Sequence, residues 1–161
     1  MKYIEISPWV YVTAAAGLLL LPFRVYISAV LAAAIHELCH LCVLHAFRIP
    51  VAGVSVGITG AKIKVSEMRP IHALLTAAAG PAGSMVLYLL FSRFPMVAFF
   101  GLAQGVFNLI PLFPLDGGRM LRSLLEMTVP RFAWLIEKTV SVFAVGYILW
   151  FAAGLILHQF Q

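Results

Sequence analysis

Charge is scarce in this chain. Of 161 residues, six are acidic and eleven are Lys or Arg, 11% in all. A soluble domain keeps such residues on its surface, and with 63% hydrophobic residues and a mean hydropathy of +1.02 this chain cannot clothe one. Cysteine is equally rare. Cys39 and Cys42 fall three apart in one apolar stretch, a spacing that does not suit an easy disulfide, and they read as small apolar helix residues. The net charge of +5 is not interleaved with aromatics in a polar patch, so no nucleic-acid partner is expected. No repeat, low-complexity tract or soluble appendage is present. The start, MKYIEISPWVYVTAAAGLLLLPFRV, has its small residues before its leucines rather than after them, so it is expected to be a retained first span and not a cleaved signal peptide.

What is present is apolar sequence in runs of about 20 residues, the length that crosses a hydrocarbon core. The fold class expected is an all-α polytopic membrane protein, one domain over 1–161, with about five transmembrane helices. The spans are placed at about 9–23, 25–47, 71–91, 94–115 and 132–157, and residues 120–129 read as a short surface helix. Residues 51–65, VAGVSVGITGAKIKV, alternate apolar and polar with a break at Thr59-Gly60. This period of two predicts a short membrane-associated β segment after the second span. Its edge could hold an extended peptide; the alternative is a plain membrane-associated loop. Glu137 and Lys138, near the start of the fifth span, are expected to snorkel to the interface.

The basic residues orient the spans. With a cytoplasmic amino terminus, Lys2, Arg48, Lys62, Lys64, Arg69, Arg119, Arg122, Arg131 and Lys138 lie inside, and Arg24 and Arg93 outside. That is the bias of the positive-inside rule. The second half of span two and the end of span four then approach the same, cytoplasmic side.

Within span two, AAAIHELCHLCVL places two histidines and a glutamate as H-E-x-x-H: His36, Glu37 and His40. Positions four apart share a helix face, so both imidazoles can hold one metal ion, with Glu37 placed as base toward the reacting water. Three such groups in a membrane segment are costly unless compensated. A zinc ion compensates them. A third ligand is needed, and Asp116, between Leu115 and Gly117-Gly118, stands at matching depth, with His45 as the rival. Asn108 is a candidate donor to the developing oxyanion; its alternative is an interhelical hydrogen bond. His72 and His158, at span ends, read as structural. NLIPLFPLDGGR, Asn108 to Arg119, breaks its helix at Pro111 and Pro114, and irregular backbone at membrane depth marks a site wall.

AIHELCH together with NLIPLFPLDGGR resembles the site-2 protease family (peptidase M50), zinc metalloproteases that cleave within membranes. AAGPAGS, ending at Ser84, is similar to the intervening G-P motif, with Ser84 where many members have Asn. The resemblance implies that His36, His40 and Asp116 bind one zinc ion, that Glu37 is the catalytic acid/base, that Asn108 contacts substrate or intermediate, and that residues 51–65 lie near the cleft. The short loops are most similar to the stage IV sporulation protein FB branch, without its CBS domain and sixth span.

The function expected is therefore an intramembrane zinc endopeptidase acting on a membrane-tethered protein, such as a sigma-factor precursor or anti-sigma factor. It would sit in a bacterial cell membrane, surrounded by lipid, with a regulatory membrane protein as a candidate partner. The alternatives are a catalytically silent scaffold that binds transmembrane helices and, last, a metal transporter, which would carry polar residues along more of its spans.

Overall fold

In a computed structural model, residues 3–57, 60–65 and 67–158 are described. Lys2 and residues 58–59, where the hairpin turn is expected, lie outside them. The chain is mostly helical. Strand β1 (Tyr3–Ile6) leads into helices α1 (Pro8–Leu20) and α2 (Phe23–Ala46), followed by strands β2 (Val51–Gly57) and β3 (Gly60–Val65). Helices α3 (Pro70–Leu90), α4 (Pro95–Asn108), α5 (Asp116–Thr128) and α6 (Ala133–His158) complete the fold. Proline opens α1, α3 and α4, where its fixed φ suits the first turn and its missing N–H costs nothing.

Each expected span contains a helix, but the five-span expectation is met only in part. Among the described residues, three helices are long and apolar enough to cross a membrane: α2, α3 and α6. Helix α1 has 13 residues and α4 has 14, about 20 Å each, against a hydrocarbon core of about 30 Å. Span four breaks where its prolines predict a break. The helix stops at Asn108, because Pro111 and Pro114 cannot donate to a continuing helical ladder, and residues 109–115, the rest of the expected span, form an irregular strap. The surface helix expected at 120–129 starts earlier, at Asp116.

The β segment is larger than the pattern predicted. β2 and β3 pair antiparallel, Val54 opposite Ile63 and Ser55 opposite Lys62. β1, four residues that alternation alone does not reveal, adds parallel to β2 with Ile4 beside Val54. β2 is thus the central strand, with β1 and β3 at the edges. The pairing of a strand before α1 with one after α2 closes the α1–α2 excursion, returning the chain to the side it left.

The bundle packs on ridges spaced four residues apart. The buried residues of α2 are Ser28, Ala32, His36, His40 and Leu44. Against them α3 sets the small stripe Thr76, Gly80 and Ser84, and Gly101 and Gly105 of α4 lie against Ser84, Met85 and Leu87 of α3. Glycine is required where backbones approach. A Cβ on Gly105 would press on Ser84 and Met85, and one on Gly117 or Gly118 would run into the strap's own backbone at Leu109, Ile110, Leu112 and Phe113. By contrast, a Cβ on Gly146 or Gly154 of α6 meets nothing within 4 Å. Replacing Gly118 by Ala should therefore destabilise the protein by about 1–3 kcal/mol through overpacking. Gly146→Ala should leave stability unchanged or slightly raised, since alanine is the better helix former. Thermal unfolding of the two variants in detergent checks the contrast.

Candidate metal centre

Helix α2 aims His36 and His40 inward from one ridge, and both rings are almost wholly buried. Their neighbours on α3 have been pared to make room. A Cβ on Gly80 would strike the Nε2 atoms of both imidazoles, and one on Gly83 would strike the Cys39 thiol. The rings are edge-to-face, with centroids 4.9 Å apart.

Asp116 arrives from the far end of the strap, 80 residues after His36, as the first residue of α5. Its Oδ2 lies 3.0 Å from His36 Nε2 and 3.2 Å from His40 Nε2, and the two Nε2 atoms are 3.2 Å apart. A tetrahedral zinc ion, with bonds of about 2.0–2.1 Å, holds neighbouring ligand atoms about 3.3 Å from one another. The triangle is thus close to one face of such a site.

The surrounding hydrogen bonds set the protonation that a metal requires. The Thr76 carbonyl is 2.6 Å from His40 Nδ1. A carbonyl only accepts, so the proton is on Nδ1 and the Nε2 lone pair faces the carboxylate oxygen, acceptor against acceptor. A cation, proton or metal, has to lie between them. Ser84 Oγ stands 2.9 Å from His36 Nδ1 and orients that ring; as a hydroxyl it can accept a hydrogen bond from the Nδ1 proton. Arg119, one turn into α5, donates to Asp116 Oδ1 at 3.3 Å, leaving Oδ2 to the imidazoles. Such outer partners fix the tautomer and aim of a metal-binding histidine. The donor set fits one divalent zinc ion: two imidazoles, one carboxylate and a remaining open position.

Glu37, beside His36, is half-buried and within electrostatic reach of His36, His40, Asp116 and Arg119. His45, the rival third ligand, is exposed and lies outside the cluster of His36, His40 and Asp116. Asn108 ends α4 and donates from its Nδ2 to the Gln104 carbonyl of its own helix at 3.1 Å. Among the described residues it makes neither the interhelical hydrogen bond weighed for it nor a hydrogen bond to the triad. His72 stacks on Phe47 at 4.6 Å, as a structural residue would. Thr76 and Arg119 were missed as site residues. The stripe of small residues at 76, 80 and 84 was a usable signal, since it faces a histidine pair with the same spacing of four.

Comparison with known proteins gives the family of the chain. The model of Peptidase family M50 matches residues 67–153, more than half of the chain. The chain belongs to peptidase family M50. The matched M50 segment holds Ser84, Asn108 and Asp116, while the histidine pair precedes it. A protein named as a zinc metalloprotease, sll0528 of Synechocystis sp., is 34% identical over 105 residues; the alignment covers 55% of this chain and 28% of that relative. In fold, the M50 chain is similar to the site-2 protease from Methanocaldococcus jannaschii, with a TM-score of 0.67 at 22% identity, covering 98% of this chain and 85% of that one.

Removing Ser84 Oγ while keeping the ring tests the outer partners. Ser84→Ala should weaken zinc binding by about 10- to 100-fold, and His36→Ala should abolish it. Competition with a chromophoric chelator measures both.

Proposed function

We propose that this chain is an intramembrane zinc endopeptidase of the site-2 protease type. In this reading it hydrolyses a peptide bond in or beside a transmembrane segment of a membrane-tethered protein. A sigma-factor precursor or anti-sigma factor fits that class, and a regulatory membrane protein could accompany it. The observation that supports the reading most is the meeting of His36, His40 and Asp116 ligand atoms at 3.0–3.2 Å with a carboxylate, Glu37, next to the first histidine. A binding scaffold has use for neither the triangle nor the base.

His36, His40 and Asp116 would hold the zinc ion. Zinc, when bound, acts as a Lewis acid that makes water a nucleophile near neutral pH and polarises the scissile carbonyl. Glu37 takes the proton from the attacking water and delivers it to the leaving amine. Arg119 and Ser84 keep Asp116 and His36 aimed while charge develops. Asn108, at the end of α4 where the strap begins, faces substrate once its bond to Gln104 opens, and donates to the oxyanion or the substrate backbone. The β2–β3 hairpin and β1 offer strand edges that hold extended substrate by main-chain hydrogen bonds.

The short helices α1 and α4 complete five crossings with the help of interfacial residues and the strap. The amino terminus and the loops nearest the site face the cytoplasm of a bacterial cell, by the distribution of Lys and Arg.

Glu37→Gln should retain zinc at wild-type stoichiometry and lose cleavage of a membrane-tethered test substrate by at least about 100-fold. Metal analysis and cleavage on the same purified preparation check both halves. Equal cleavage by both proteins would remove Glu37 from the mechanism. Zinc in both with cleavage by neither would favour the scaffold.

A further inference from the structure

Helix α6 joins the rest of the protein through a narrow seam. Its buried residues are Ala133, Glu137 and Ser141, spaced four apart, while nearly all of residues 142–156 is exposed. The middle residue of this seam is a carboxylate with 0% exposure, and not the snorkelling group its place near a span end predicted. An acidic group so enclosed in a membrane helix is costly, and such groups mark function. Nothing in the chemistry proposed above uses it.

Its contacts lead to the strap. Ser141 donates its hydroxyl proton to Glu137 Oε1 at 3.3 Å. That leaves a lone pair on Ser141 Oγ, which accepts the Phe113 backbone N–H at a long 3.5 Å. Lys138 adds a second tie: its Nζ is 3.8 Å from Glu137 Oε1 and 5.1 Å from the centre of the Phe113 ring. On the opposite side, Gly118 of α5 lies against the backbone of Leu112 and Phe113, with no room for a Cβ. Phe113 is therefore gripped between α5 and α6, three residues before Asp116 and five after Asn108.

We infer that Glu137 is a positioning residue: through Ser141 it anchors the 109–115 strap to α6 and so sets where Asp116 presents its carboxylate to the metal. The inference rests on the metal-centre reading of His36, His40 and Asp116. The carboxylate is suited to the task because it only accepts. It fixes the Ser141 proton toward itself and keeps that hydroxyl from turning back to its own helix carbonyl, the usual resting place of a mid-helix serine. The second carboxylate oxygen, buried without a partner among the described residues, is the cost of placing an acceptor at that point. A purely structural packing residue would have been apolar.

The test uses the full chain in detergent with four proteins: wild type, Glu137→Gln, Glu137→Leu and Ser141→Ala. Two quantities are read on each, zinc affinity by chelator competition and hydrogen exchange of the 109–116 amides. Glutamine keeps an acceptor and should bind zinc within about threefold of wild type. Leucine fills the space without an acceptor and should weaken zinc about tenfold, the lower end of what loss of an outer partner costs. Ser141→Ala should shift affinity in the same direction, and both should speed exchange in the strap while leaving α2 unchanged. Wild-type affinity and exchange in Ser141→Ala would overturn the inference, even where the leucine variant fails to fold. A glutamine variant as weak as leucine would also overturn it. If wild type bound no zinc, the metal-centre reading would fall instead, and exchange in the strap would still decide whether α6 holds it.

Discussion

Two imidazole nitrogens and a carboxylate oxygen meet at 3.0–3.2 Å inside an apolar bundle, and this is the constraint around which the chain is arranged. The Thr76 carbonyl directs one imidazole proton away from the meeting point, so lone pairs face one another and a cation must lie between them. Burying three such groups without one would cost several kcal/mol for each charge. The polar partners form a closed shell: Thr76 and Ser84 behind the histidines, Arg119 behind the aspartate. Each holds the far side of a ring or carboxylate, so the near side is aimed rather than merely present.

The second requirement is proximity, and it is met by leaving side chains out. Gly80 admits both imidazoles, Gly105 admits Ser84, and Gly117 with Gly118 admits the strap. Small residues at helix contacts let backbones approach where lipid provides no hydrophobic drive to associate. α4, at 14 residues, ends before it could cross a bilayer. The irregular strap that follows lies between α5 and α6, against Gly118 on one side and Ser141 on the other. A short helix followed by a clamped strap delivers Asp116 to a point that a continuous helix would have overrun.

Much of this was legible in the sequence, for reasons that can be assigned residue by residue. The histidine pair was visible because a spacing of four has one meaning on a helix. Asp116 was visible because acidic residues are so few that little else could serve. The strands at Val51–Gly57 and Gly60–Val65 were suggested by a period of two, which left a plain loop as the alternative. β1 did not, since four residues from Tyr3 to Ile6 give no period to count and are strand only because β2 lies beside them. Glu137 was misplaced for a related reason: nearness to a span end argues for solvent, but its ridge on α6 turns it toward the strap. Asn108 was judged by residue type, whereas its hydrogen bond depends on where α4 stops.

Local order, then, was determined by the sequence alone: which stretches are apolar, where proline stops a helix, and which residues could bind a metal. These depend on neighbours within a few turns, where covalent geometry leaves few choices. Tertiary structure decided what depends on partners far along the chain. It joined β1 to β2 across the α1–α2 excursion, brought Asp116 across 80 residues to His36, and enclosed Glu137 against Ser141 beside Phe113. The physical reason is that hydrogen bonding and burial are properties of a pair, and one strand of sequence carries only half of each pair.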